Sequence, residues 1–110
     1  MLVKIHKSYR DVVTICDDDL IGKKFESRAS DDLGKSSEGD KFQLDVKESF
    51  FGGDKHSKEE VMNIIQKMSA EDATFNIVGE KAIALALQEG IISEESIKRI
   101  DNVPYSLVLV

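Results

Sequence analysis

The sequence is poor in the residue types that cross-link or stiffen a small protein. Its 110 residues include one cysteine, Cys16, one proline and no tryptophan. A single cysteine excludes an intramolecular disulfide, which fits a reducing compartment better than secretion. No run approaches the roughly eighteen apolar residues that a bilayer span requires, and the N-terminal stretch lacks the apolar core of a signal peptide. We therefore expect a cytoplasmic protein that does not associate with membranes.

Basic residues are also in deficit. Fifteen Lys and Arg face 21 Asp and Glu, which gives a formal net charge of −6. Nucleic-acid binding by the whole surface is disfavoured, because it depends on cations that neutralise phosphates, although a local basic face is compatible with these numbers. The apolar share of 41% and the charged share of 33% are typical of a folded chain. A chain of this length can build one core, so we expect a single domain over residues 1–110.

Strand patterns predict a mostly antiparallel sheet. Residues 2–6 and 11–16 are rich in Val and Ile and indicate an N-terminal hairpin. Apolar and polar residues alternate over 42–46, which predicts a central strand. Residues 96–100 and 104–110 indicate a C-terminal hairpin closed by an Asp-Asn pair. Together with the two helices described next, these strands predict an α+β fold.

The first main helix is predicted over residues 58–68. Ser57 and Glu60 have the spacing of a capping box, in which each side chain satisfies a backbone N–H of the first turn. Apolar residues then recur at helical spacing.

A mobile surface loop is predicted over residues 27–40, because this segment contains a single large apolar side chain.

The second main helix is predicted over residues 80–89, with Asn76 as its cap and Gly90 as its stop. The start of a helix offers N–H groups and the positive end of its dipole to an anion. Gly79 would allow close approach of the backbone, so Asn76 and Gly79 form a candidate anion-binding site. The alternative is that Gly79 lets helix and sheet pack closely, since Glu80 would repel an anion.

A basic strip is the candidate nucleic-acid-binding surface. Its members come from the first hairpin and from the turn after Gly22, and they are Lys4, His6, Lys7, Arg10, Lys23 and Lys24. They would contact phosphates if the fold brings them together. The lack of tryptophan and the wide separation of the two tyrosines argue against a base-stacking platform. The alternative is that these are solvated charges without a ligand.

Residues 16–19 are the other candidate for chemistry. Cys16 could act as a nucleophile with His6 or His56 as its base, or it could be a small buried apolar residue. Asp17–Asp19 could supply carboxylates to Mg²⁺, or they could be a solvated strand end. The spacing of the histidines and the cysteine does not match a zinc site. We therefore expect no catalytic residue, metal or cofactor.

Several short motifs resemble a known family. They occupy residues 2–5, 15–17, 20–26, 50–53, 76–82 and 103–105. In this order and spacing the chain resembles the archaeal domain-of-unknown-function family numbered four-two-four. The resemblance implies an archaeal origin and a small α+β domain, and it carries a loose link to RNA and translation. The polar segment 27–40 is longer than the family's link at this place.

These patterns lead us to expect a non-enzymatic binding module associated with RNA or a ribonucleoprotein of the translation apparatus. The basic residues of the first hairpin and of the Gly-Lys-Lys turn would contact phosphates. The alternative is a protein-interaction adaptor, or a homo-oligomeric scaffold, that pairs through the apolar terminal strand 106–110. A small enzyme that uses Cys16 is the third hypothesis.

Overall fold

The computed structural model describes residues 1–26 and 43–109. These residues form eight strands and three α-helices: β1 (Leu2–His6), β2 (Val12–Cys16), β3 (Lys24–Glu26), β4 (Gln43–Asp45), α1 (Glu48–Phe51), β5 (Asp54–Lys55), α2 (Lys58–Ala70), β6 (Thr74–Val78), α3 (Glu80–Glu89), β7 (Lys98–Ile100) and β8 (Val103–Val108). The loop predicted at 27–40 lies outside the described residues. None of the helices in the described ranges has both the length and the apolar character needed to cross a membrane.

One six-stranded sheet organises the molecule, in the order β5-β1-β2-β6-β8-β7. Its neighbouring strands are antiparallel except β2 and β6, which are parallel. Strands β3 and β4 form a separate two-stranded sheet. The molecule is a small single domain, and the predicted α+β class with a mostly antiparallel sheet is confirmed.

Both main helices form where local signals place them. In the capping box of α2, the Glu60 amide donates to Ser57 Oγ at 3.2 Å and the Ser57 amide donates to Glu60 Oε1 at 2.9 Å. Helix α3 ends at Gly90, whose φ of 79° is left-handed and therefore suits glycine. The helices predicted at 58–68 and 80–89 are thus confirmed, and the first extends to Ala70.

Strand β6 differs from the sequence prediction, which placed a helix cap in this segment. Asn76 lies in the middle of β6, and its neighbours Phe75 and Ile77 are buried. The capping role predicted for Asn76 is therefore wrong, because pairing with β2 and β8 on either side fixes this segment as a central strand. The strand predicted at 42–46 forms as β4, but it belongs to the small second sheet.

The main sheet buries side chains on both faces. On the first face, Val13, Ile15, Phe75 and Ile77 pack in a core with the apolar stripes of α2 and α3. Alternation along a strand sends the residues between them to the opposite face. The last residues of β2 and β6, Cys16 and Val78, therefore contact a different part of the molecule on the second face.

The second face is covered at the carboxyl ends of β2 and β6. Cys16 and Val78 form a smaller buried cluster there with Val46 and Phe51. Apolar residues of β3 and β4 pack against the same cluster, including Phe25. This small cluster fixes the segment that follows β2, where the candidate chemistry of residues 16–19 lies.

Candidate functional site

The Asp17 carboxylate lies at the start of helix α3. The amide of Ala82 donates to Asp17 Oδ1 at 2.8 Å, and the amide of Lys81 donates to Asp17 Oδ2 at 3.0 Å. Because β2 and β6 are parallel neighbours, their carboxyl ends meet at one edge of the sheet, beside the first turn of α3. Asp17 is only 7% exposed, so these hydrogen bonds are largely shielded from water. The carboxylate therefore caps the helix from 64 and 65 residues away in the chain.

Gly79 makes this contact sterically feasible. Its φ of 113° and ψ of 156° lie in a region that is essentially restricted to glycine. A methyl group at this position would overlap the carboxyl group of Asp17. The Gly79 amide donates to the carbonyl of Pro104 at 2.9 Å, which ties the helix start to β8.

The anion site expected at Asn76 and Gly79 requires correction. The first-turn amides that an external anion would use already bind the protein's own carboxylate, Asp17. Asn76 lies in β6, three residues before Gly79. Its strand partner in β8 is Leu107. The structure therefore supports the alternative for Gly79, in which glycine permits close packing.

Cys16 is a buried, weakly acidic thiol. Its exposed fraction is 0%, and Sγ donates to the carbonyl of Asp17 at 3.1 Å. Burial, reinforced by the carboxylates of the aspartates that follow, raises the pKa of Cys16 to about 12. His6 contacts the carbonyl of Phe50 at 2.9 Å, and His56 lies 3.3 Å from Glu60. A thiol in this environment is neutral at physiological pH and is a poor nucleophile.

We expect Cys16 to resist alkylation until the protein unfolds. At pH 8, a chromogenic disulfide reagent should label the native protein at least about a hundredfold more slowly than it labels the chain in urea, because the thiolate is scarce and the sulfur is covered. As the pH rises, the thiol of the unfolded chain ionises at a lower pH than the thiol of the folded protein. The contribution of Cys16 to the free energy of unfolding is therefore fully present below the ordinary pKa of cysteine. That contribution should disappear as the pH rises towards about 12.

Comparison with Cys16→Ala isolates this alkaline loss from the titration of lysines and tyrosines. Equal labelling rates for native and unfolded protein would contradict the burial of the thiol and revive the enzyme hypothesis.

The other two aspartates of the run differ in role. Asp18 lies 3.0 Å from the terminal ammonium of Met1 and 3.2 Å from Lys55 Nζ in β5. Its hydrogen bond with the Met1 ammonium, with a further contribution from Lys55, lowers the pKa of Asp18. Asp19 is exposed. Within residues 1–26 and 43–109, no group of three or more His, Cys, Asp or Glu side chains is arranged to hold a metal ion.

The six basic residues of the predicted strip do not share one environment. Lys7 and Arg10 lie in the turn of the β1–β2 hairpin, beside the His6–Val12 pair. The other lysine pair, at 23 and 24, follows β2 at the opposite end, where Cys16 pairs with Leu2. A strand of five residues separates these ends by roughly 15 Å.

Several of these cations also have contacts within the protein. Lys4 Nζ donates to the carbonyl of Ser49 at 3.0 Å. The His6 ring stacks on Phe50, with 4.8 Å between the ring centroids. Lys7 Nζ lies 3.3 Å from Asp11 Oδ2. Lys24 is opposite Asp45 in the register of the small sheet. Lys7 and Arg10 are exposed in the same short turn, so these two cations of the strip lie near each other on the surface.

The tip of the hairpin also displays an aromatic side chain. Tyr9 is fully exposed, and it lies between Lys7 and Arg10, which are both exposed as well. Ser8 Oγ donates to the carbonyl of Arg10 and closes the turn. Sequence reasoning dismissed the tyrosines as a stacking surface because they are far apart, but a single tyrosine at a tip needs no second one nearby. The sequence does contain a signal for this feature, because a tyrosine in a polar turn between two cations is expected to be exposed.

Together, the sheet order and the helix cap define a small α+β domain whose buried aspartate and cysteine serve structure. The chain belongs to the family described as "Protein of unknown function (DUF424)", whose model matches residues 6–110. The resemblance read from the sequence motifs is thus confirmed.

A solved structure has the same fold. It is the crystal structure of an uncharacterized conserved protein from Methanopyrus kandleri, which matches with a TM-score of 0.73 and 22% sequence identity. The match covers 98% of this chain and 90% of the other. No curated protein is significantly similar to the chain. These comparisons establish the family and the fold of the chain.

Proposed function

We propose that the protein is a non-enzymatic module that binds single-stranded RNA through the tip of the β1–β2 hairpin, residues 7–10. The observation that carries the proposal is the full exposure of Tyr9 between Lys7 and Arg10. An exposed aromatic ring can stack on an unpaired base, and stacking tolerates any base because each has a π-face. The flanking cations can neutralise the phosphates on either side of that base.

The ion pair between Lys7 and Asp11 does not prevent this role. The Lys7 side chain is 77% exposed, and an exposed ion pair contributes only about 0 to 1 kcal/mol. Lys7 can therefore exchange Asp11 for a phosphate at little cost. Because the whole chain carries a net charge of −6, attraction for a polyanion requires a local group of cations such as Lys7 and Arg10. We expect modest affinity with a small salt dependence, as few phosphates are contacted.

The test is a titration of a fluorescently labelled twelve-nucleotide oligouridine, followed by anisotropy at 50 and 200 mM KCl. With about two phosphates neutralised, the logarithm of the association constant should fall against that of the salt concentration with a slope of about −1.4. Tyr9→Ala should weaken binding about tenfold or more, since stacking contributes about 1–3 kcal/mol per base. Tyr9→Phe retains the ring and should bind like the wild type.

Charge reversals locate the site. The double variant Lys7→Glu with Arg10→Glu should abolish measurable binding. The matched double variant Lys23→Glu with Lys24→Glu removes the same charge at the other end of the hairpin and should bind nearly as well as the wild type. Equal losses in the two double variants would mean that net charge alone attracts RNA. That result, or unchanged binding by Tyr9→Ala, would disprove the proposed site.

A further inference from the structure

Among residues 1–26 and 43–109, no strand pairs with the outer edge of β8 beyond Tyr105. Pairing with β7 runs from Ile100↔Val103 to Lys98↔Tyr105 and stops there within the described residues. On the inner side, the amide of Gly79 donates to the carbonyl of Pro104, so alternate residues from Pro104 onward bond to β6. The N–H and C=O groups of Leu107 therefore point away from β6, to the side where β7 has already ended. Leu109 follows the last residue of β8, and an added strand that prolonged the same alternation would meet its backbone on this side as well.

A shallow, open groove, lined by polar as well as apolar groups, follows this edge. It has a volume of about 440 Å³ and lies between the end of β8 and the connection from α3 to β7. Its apolar lining residues are Ile91, Ile92, Leu107, Val108 and Leu109. Leu107 in β8 is 52% exposed, and Leu109, directly after the strand, is 72% exposed. An exposed strand edge beside a groove is the arrangement into which an added strand fits.

The charges beside the groove indicate the kind of segment that it would attract, since the exposed Glu94 and Glu95 outnumber the exposed Lys98 of β7. Glu94 and Glu95 are exposed in the short turn between two groove-lining residues, Ser93 and Ser96. A second copy of this chain would bring the same two carboxylates to the same edge, so self-pairing is opposed by like charges. A segment with lysine or arginine beside its apolar residues would be attracted instead.

We propose that this edge binds an extended segment of a partner protein, in which alternating apolar residues are flanked by Lys or Arg. The backbone of the segment would pair with Leu107 and Leu109 as an additional strand, and its apolar side chains would enter the groove. Backbone hydrogen bonds give such complexes affinity, and the pockets for alternate side chains give specificity. This site lies at the same end of the sheet as the hairpin tip, but strands β6 and β2 stand between the outer side of β8 and that tip.

The test is a selection from a phage-displayed library of random twelve-residue peptides, followed by measurement of the enriched peptides in solution. We expect enrichment of segments with alternating apolar residues and basic flanks. Bound peptide should slow the hydrogen exchange of the Leu107 and Leu109 amides at least about tenfold, because they would then be hydrogen-bonded. Leu107→Asp should weaken binding at least tenfold, and the exposure of this side chain means that the fold is retained.

Matched variants separate this proposal from its alternatives. Tyr9→Asp makes the same kind of change at the hairpin tip and should leave peptide binding unchanged, although it removes the proposed RNA contact. Glu94→Lys with Glu95→Lys should reverse the preference from basic to acidic flanks, whereas Glu59→Lys with Glu71→Lys on and beside α2 should not.

Three results would overturn the proposal. The first is a library that yields no binder. The second is a set of binders that Leu107→Asp holds as tightly as the wild type. The third is a concentration-dependent dimer, seen by analytical ultracentrifugation, that Leu107→Asp dissociates; this would identify the occupant as a second copy. None of these results bears on RNA binding at Tyr9, so the two proposals fail independently.

Discussion

Replacement of Asp17 by alanine is expected to lower the free energy of unfolding by about 3 kcal/mol. The variant removes both acceptors of the Lys81 and Ala82 amides and leaves two N–H groups unsatisfied in a site that is almost closed to water. A hydrogen bond to a charged group contributes about 1.5–3 kcal/mol, and loss of a helix cap alone costs about 0.5–2 kcal/mol. A domain of this size has only about 5–15 kcal/mol of stability, so the loss would be severe.

Urea denaturation followed by circular dichroism measures this difference. Asp19→Ala is the matched control, because Asp19 belongs to the same acidic run and is exposed; its change should stay within about 0.5 kcal/mol. Asp17→Asn keeps one acceptor oxygen and should lie between alanine and the wild type. If Asp17→Ala and Asp19→Ala were equally stable, the carboxylate would not be acting as the cap of α3.

Gly79→Ala is expected to destabilise the fold by about 3–4 kcal/mol. Two causes combine: the backbone at Gly79 is in a region that disfavours a side chain by about 1–3 kcal/mol, and the new methyl group would overlap the Asp17 carboxyl group. Gly90→Ala is the matched control. Gly90 also has a positive φ, of 79°, but a methyl group there meets no atom within 4 Å, so only the left-handed strain of about 1–2 kcal/mol applies.

A double-mutant cycle tests the steric part of this argument. The three atoms nearest to the added methyl group all belong to the Asp17 side chain. Gly79→Ala should therefore cost less in an Asp17→Gly background than in the wild type, and the difference is the coupling between the two sites. Additive effects would mean that backbone strain alone explains the requirement for glycine at this position.

The helices were predictable because their signals are local. Ser57 and Glu60 lie within one turn of each other, and Gly90 directly follows the helix that it ends. The two hairpins were predictable for a similar reason, since short apolar segments flank turns at residues 7–10 and 101–102. The burial of Cys16 was also indicated, because it ends an apolar run.

Strand β6 was not predicted, because its local sequence is ambiguous. Asn76 lies three residues before Gly79, which a run of strong helix formers follows, so the local sequence predicts a helix cap in this segment. Its strand conformation depends on partners on both sides: β2 contributes Thr14 opposite Asn76, and β8 contributes Leu107. Those residues are distant in sequence, and no periodicity within 74–78 identifies them.

The predicted basic strip shows the same limit for the candidate site. The sequence shows which residues of the strip are cationic. Whether they lie together on the surface depends on distances that only the path of the folded chain sets. Lys7 and Arg10 meet at a turn because they are three residues apart, and this part of the strip could be read locally. The lysines at 23 and 24 follow β2, and the strand between the two groups carries them to the other end of the hairpin.

The sequence by itself determined the α+β class, both main helices and both hairpins, because these follow from caps, turns and periodicities that act over a few residues. The family was recognised from the order and spacing of short motifs. Only the tertiary structure decided the order of the strands, the helix-capping role of Asp17 and the open edge at Leu107. The reason is that each of these depends on pairing between strands far apart in the chain. The parallel contact of β2 with β6 is the clearest case, since it places an aspartate of an acidic run at the start of a helix 65 residues later.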